Sequence, residues 1–175
     1  MSPGASELVT GLGPIAAVDA RVLILGSLPS ELSLQKQEYY GNPQNSFWRI
    51  MGELMEAGPE LRYPRRVDIL KERGVAIWDV LRSATRPGSM DTAIEMKTAT
   101  ANDFQAFYAG HPGLELLCFN GKKAAELYER LVVPQGIGTI GNIEMITMPS
   151  TSPAYASMAF TEKVRHWSVI CRPVD

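Results

Sequence analysis

The chain has 175 residues, 45% hydrophobic and 21% charged, which suits one soluble globular domain with a real core. Its formal net charge is −2, from 17 basic and 19 acidic residues, which is not the strongly basic balance of a protein that coats nucleic acid, although local patches still allow DNA contact. No apolar span reaches about 18 residues and no basic region leads into an apolar core at the start, so neither a membrane span nor a signal peptide is expected, and the location expected is the cytoplasm.

Residues 1–13 are rich in Gly, Ser and Pro and are expected to be loosely ordered, with residues 14–172 forming the single domain. Val22–Leu25 is a continuous apolar run, as a buried parallel strand requires, and it stops at Gly26-Ser-Leu-Pro-Ser30. Tyr39-Tyr-Gly-Asn-Pro-Gln-Asn-Ser-Phe-Trp48 then crowds two asparagines and four aromatics together. Phe47, Met51, Leu54 and Met55 recur at helical spacing, with Asn42-Pro43 or Asn45-Ser46 as the start. Val67 and Leu70 predict a second helix closed by Gly74, and Val75–Val80 reads as a strand. Thr85 to Thr100 is polar and irregular, a loop facing solvent or substrate. Phe104, Phe107 and Tyr108 mark a short helix, and Leu114–Phe119 the next strand. Asn120-Gly121 opens a helix with Ala124, Leu127, Tyr128 and Leu131 on one face. Ile143–Met148 is the last strand, and Phe160, Val164 and Trp167 share a stripe of the closing helix. Strands alternating with helices predict an α/β fold with a parallel sheet covered on both faces.

The residues with chemistry to offer fall just after predicted strands. Ser27, Pro29, Ser30 and the Asn42–Trp48 block follow the first, Asp79 ends the second, Asn120 ends the third, and Ser150, Thr151, Ser152 and Tyr155 follow the fourth. In a parallel sheet these ends share one edge and can converge on one pocket. Each residue has a plainer alternative: Gly26–Pro29 as a turn, Asn42 or Asn45 as a helix cap, Asp79 as a cap or ion-pair partner, Asn120-Gly121 as a turn, Phe47 and Trp48 as core. His111 reads as a loop residue, and His166 as pairing at the surface with Glu162. Arg62, Arg65 and Arg66 form one basic patch, Arg82 with Arg86 and Lys122 with Lys123 two more; each alone reads as a solvated face. Cys118 and Cys171 read as buried thiols of a reducing cytosol and cannot build a four-cysteine centre. Glycine-rich phosphate loops, paired metal-ligand histidines and a Gly-x-Ser-x-Gly elbow are all missing from the sequence. What remains is a pocket of amides and hydroxyls with one acid, suited to orienting water and recognising a planar base.

Gly26-Ser-Leu-Pro-Ser30, Tyr39–Trp48, Gly74-Val-Ala-Ile-Trp-Asp-Val80, Phe119-Asn-Gly-Lys122 and Ser150-Thr-Ser-Pro-Ala-Tyr155 together resemble the uracil-DNA glycosylase superfamily, most closely its hypoxanthine-DNA glycosylase (DNA-deoxyinosine glycosylase) branch. The resemblance implies a three-layer α/β/α fold with a four-stranded parallel sheet. It also implies excision of a deaminated base from DNA without metal or organic cofactor, by a protein expected to be monomeric. Three places depart from the uracil-removing pattern. Leu28 stands where an Asp or Asn positions the attacking water, Ser150 where a histidine stabilises the leaving base, and Asp79 where an asparagine reads uracil.

The resemblance and these departures point to hypoxanthine as the base, read by a carboxylate at Asp79 that accepts from N1–H and repels the N1 lone pair of adenine. Asn45, with Asn42 as the other choice, would orient water. Phe47 would stack on the flipped base, and Gly26, Ser27, Leu28 and Asn120 would line its pocket. Backbone amides of the Gly26–Ser30 turn and the Ser150 hydroxyl would stabilise the leaving base. Ser30, Lys122, Ser152, Pro153 and Tyr155 would contact DNA, with Tyr155 as a wedge. The alternatives are uracil excision, a non-catalytic lesion- or nucleotide-binding module, and hydrolysis of free nucleosides.

Overall fold

The computed structural model describes residues 6–137 and 143–172. Four apolar segments form the central sheet: β2 (Val22–Gly26), β3 (Val75–Asp79), β6 (Leu116–Asn120) and β7 (Glu144–Met148). They lie in the order β3-β2-β6-β7 and every neighbouring pair is parallel. β2 and β3 are buried at every position, which is why they read as unbroken apolar runs rather than alternating ones.

Between the strands run α1 (Glu31–Lys36), α2 (Phe47–Met55) and α3 (Tyr63–Glu72), then α4 (Phe104–Gly110) and α5 (Lys122–Leu131), and α6 (Phe160–Trp167) follows β7. Register sorts the side chains between faces. Trp78, Leu25 and Phe119 sit in one row, and their face packs on Phe104 and Phe107 of α4 and Tyr128 of α5. Successive residues point to opposite faces, so Asp79 beside Trp78 turns to the other layer, built on α2 and α6. There Phe47 packs edge-on against Trp48 and Trp167, and Trp48 against Tyr63 at the start of α3. The result is the expected three-layer α/β/α arrangement.

Three departures concern segments without a strong periodic pattern. Within residues 1–13, Leu8–Thr10 is ordered as β1. It pairs antiparallel with β4 (Leu81–Thr85), which pairs with β5 (Thr100–Ala101), making a second, three-stranded sheet. The polar 85–100 stretch therefore starts and ends in strand, and two turns of 3₁₀-helix lie inside it, at Asp91–Ala93 and Met96–Thr98. α1 is too short for a periodic signal, and its Ser30 cap identifies it only in retrospect. Ile15 makes an isolated antiparallel bridge to Ile77, exchanging two hydrogen bonds of 2.9 Å with β3.

Several surface expectations change as well. Arg86 is 3% exposed and belongs to no solvated patch. Arg66 lies over the rings of Trp48 of α2 and Tyr63 of α3, and Arg65 pairs with Glu72 of its own helix, so only Arg62 of that cluster is without such a contact among the described residues. Glu162 pairs with Arg165 rather than His166. His111 does lie in the loop after α4, with its ring stacked on Phe107. Cys118 is buried, whereas Cys171 is exposed.

Candidate active site

The C-terminal ends of the central strands open into a cleft of about 590 Å³. Gly26 and Asp79 are register partners at its floor. A Cβ at residue 26 would overlap Asp79 Oδ1 and come within 3.3 Å of the Tyr40 hydroxyl. Glycine is required there for room, so that a carboxyl group and a phenol can meet over the end of β2.

The turn after Gly26 is held from the side by Arg86. Its guanidinium donates to the carbonyls of Leu28 (3.1 Å), Pro29 and Gly88 (3.1 Å). A planar fork of fixed donors suits such a task, and it holds Ser27–Pro29 rigidly against the cleft. Ser27 Oγ donates to Asp91 Oδ1 at 2.6 Å, so a second carboxylate enters the cleft from the first 3₁₀ turn. Ser30 is committed as the cap of α1, its Oγ accepting from Ser33 N at 3.1 Å.

Asp79 is 4% exposed, and among the described residues its Oδ2 has no hydrogen-bond partner. Burial, reinforced by the Asp91 carboxylate and opposed by Arg86, pushes its carboxyl up to about 7. Near neutral pH it is thus poised either to donate or to accept. Tyr40 stands beside it with a buried hydroxyl that has no partner among the described residues and whose ionisation is suppressed by burial and by Asp79. Tyr40 has φ 55°, in the left-handed region, a strain of about 1 kcal/mol that packing must hold. Its ring stacks on Phe47 at 4.0 Å between centroids and 22° between planes. Two orphaned polar atoms at the bottom of a cleft are what a polar, planar ligand edge would satisfy.

The two asparagines lie at the cleft wall before α2. Asn42 Oδ1 accepts from Gln44 N (2.9 Å) and Asn45 Oδ1 from Phe47 N (3.0 Å). Each carbonyl oxygen keeps a second lone pair, and each amide nitrogen two donors, for a water. Across the cleft, Asn120 embraces Thr151: Nδ2 donates to Oγ1 and Oδ1 accepts from the backbone N–H, both at 2.9 Å. Thr151 in turn accepts on its carbonyl from Ser46 N (3.0 Å) and Ser46 Oγ (3.2 Å). The loop after β7 is thereby fastened to both β6 and α2. Ser150 Oγ accepts from Ser152 N at 3.2 Å, and Gly121, at φ +93°, leaves Ser150 room.

The cleft brings together Gly26, Ser27, Leu28, Ser30, Asn42, Asn45, Asp79 and Asn120 with Ser150, Ser152, Pro153 and Tyr155. Two expected site residues are elsewhere. Phe47 is fully buried behind Tyr40 and does not line the cleft, because the left-handed turn at Tyr40 lays that ring across its face. Lys122 is exposed at the first turn of α5, outside the cleft. Sequence reasoning missed the roles of Tyr40, Arg86 and Asp91, whereas Thr151 is one of the residues expected after the last strand. Tyr40-Gly41 ahead of Asn42 was the one local signal available. Among the described residues no three His, Cys, Asp or Glu side chains gather as a metal site.

The family model of the Uracil DNA glycosylase superfamily matches residues 13–170. A hypoxanthine DNA glycosylase of Methanosarcina acetivorans is 39% identical over 145 residues, covering 82% of this chain and 86% of the relative. One from Methanosarcina barkeri is 38% identical over 130 residues, covering 74% and 80%. A solution NMR structure of a candidate uracil DNA glycosylase from Methanosarcina acetivorans superposes with a TM-score of 0.76 at 34% identity. It matches 94% of this chain and 97% of that one.

Proposed function

Because the chain belongs to the uracil DNA glycosylase superfamily, we propose that its cleft receives a hypoxanthine base flipped out of DNA and hydrolyses its N-glycosidic bond. The carrying observation is the buried Asp79 carboxyl, whose Oδ2 is unpartnered on the floor of the cleft. Hypoxanthine offers N1–H to Asp79 in the ionised form it takes above about pH 7. Adenine offers N1 as a bare acceptor, and a well-made polar contact discriminates by roughly 1–3 kcal/mol.

In this reading the nucleotide leaves the stack at a cost of a few kcal/mol, least at a mismatch. Tyr40 rather than Phe47 offers the aromatic face to the base. Asn45, seconded by Asn42, orients a water toward C1′. The water oxygen bonds to C1′ as the bond from C1′ to N9 breaks, and the electron pair leaves with the purine. The backbone amides of the turn, held by Arg86, and the Ser150 hydroxyl stabilise that developing charge. The water's proton passes to solvent or the departing base, and an abasic sugar remains. Ser152, Pro153 and Tyr155 at the cleft mouth meet the DNA strand, with Tyr155 filling the vacated place in the stack.

A panel of duplexes carrying hypoxanthine, uracil, xanthine or normal bases tests the reading by single-turnover base release. Hypoxanthine should lead. Equal or faster release of uracil would move the assignment to the rival reading, which the name of the NMR neighbour favours. Binding without release from any duplex would reduce the protein to a lesion-binding module.

A further inference from the structure

Beside the cleft, sharing its wall at Thr151, Ser152, Pro153 and Tyr155, lies a second cavity of about 190 Å³. Two cations line it, Arg49 from α2 and Lys163 from α6. Lys163 is 6% exposed, yet among the described residues its ammonium has one acceptor, the Tyr155 carbonyl at 2.7 Å, and otherwise lies 5.1 Å above the Tyr155 ring. An ammonium carries three donors. Arg49 reaches over the Phe160 ring at 4.6 Å. Among the described residues neither cation makes an ion pair. Burial and the nearby Arg49 both lower the Lys163 pKa, the mark of a cation lacking its counter-charge.

A buried lysine without a carboxylate partner is costly unless an anion arrives with the ligand. We propose that this cavity takes one backbone phosphate of the DNA strand whose flipped nucleotide fills the neighbouring cleft, held between the Arg49 guanidinium and the Lys163 ammonium. The proposal rests on the DNA glycosylase reading. It adds an address: one phosphate, on the lesion strand, next to the flipped nucleotide.

The test uses hypoxanthine-containing duplexes in which single phosphates are replaced in turn by uncharged methylphosphonates. Affinities are titrated with the wild type, Arg49→Gln, Lys163→Gln and the double variant. Wild type should lose about fivefold to tenfold at one lesion-strand phosphate within two nucleotides of the hypoxanthine. The double variant should lose less than about twofold at that same position while keeping its sensitivity elsewhere. Its plot of log Kd against log salt should be shallower by about 0.9. If every methylphosphonate affects the double variant as it affects the wild type, the proposal fails. Coupling to a complementary-strand phosphate, or a loss spread evenly over all positions, also overturns it. Should Lys163→Gln loosen the loop, Arg49→Gln alone, at an exposed side chain, must still show the position-specific coupling. Base release without coupling sinks this inference alone, whereas neither release nor binding by the wild type sinks the underlying reading with it.

Discussion

Burial keeps the proton on Asp79 to about pH 7, against 3.8 for the exposed group, so between these values the folded chain holds a proton that the unfolded chain has lost. Stability must then fall as pH rises through that window and level off above it, by a few kcal/mol at about 1.4 per pKa unit. Asp79→Asn removes the ionisation. Denaturant unfolding at pH 5 and pH 8 should show the wild type losing ground to the variant, and parallel behaviour would contradict the buried-acid account. The same substitution should cost activity on hypoxanthine and shift preference toward uracil, since an amide satisfies both the carbonyl and the N–H of a pyrimidine edge. An unchanged ratio of single-turnover rates would remove Asp79 from base reading. Asn45→Ala should fold, losing about 1 kcal/mol with the bond to Phe47 N, and should slow excision by roughly 10²-fold if its amide positions the water. Near-wild-type rates for both Asn45→Ala and Asn42→Ala would end that assignment. Residues that follow directly from a strand end, such as Asp79 and Asn120, were legible in the sequence. Tyr40 was not, because only its left-handed backbone puts it in front of Phe47.

At the scale of elements, the turn after β2 depends on a side chain 57 residues away, the separation between Arg86 and Pro29. Arg86→Ala leaves the carbonyls of Leu28, Pro29 and Gly88 without their donor and should cost about 2–4 kcal/mol. It also withdraws the cation that opposes protonation of Asp79, so the Asp79 pKa should climb further. Arg86→Lys should not restore excision, because one ammonium cannot span three carbonyls as the fork does. Full recovery in the lysine variant, measured by single-turnover kinetics beside thermal unfolding, would reduce Arg86 to a mere charge. The parallel strands and the longer helices could be read from apolar runs and 3.6-residue spacing. β1, β4 and β5 could not: β4 is Leu-Arg-Ser-Ala-Thr, and its pairing with Leu8–Thr10 is set by tertiary contact rather than by its own pattern.

For the molecule as a whole, a net charge of −2 implies that few phosphates are neutralised, so DNA affinity should decline with salt on a shallow slope, about 0.9 for each phosphate met. Lys122 lies outside the cleft, and Lys123 is 3.9 Å from Glu126. Replacing both by alanine should weaken binding to hypoxanthine-containing and undamaged duplexes alike; a loss confined to the damaged duplex would put them in lesion recognition instead. The convergence of four strand ends on one cleft was legible from the alternation of elements. The fastening of Thr151 to Ser46, 105 residues apart, was not, since no local pattern marks it. The bridge from Ile15 to Ile77 bears on self-association. β3 is a margin of the sheet, and Ile15 occupies backbone groups there that another extended chain would otherwise pair with. A chain trimmed past Ile15 would leave the backbone edge of β3 at Ile77 unpaired, and the expected result is aggregation, read by light scattering, well before any loss of the cleft's own geometry.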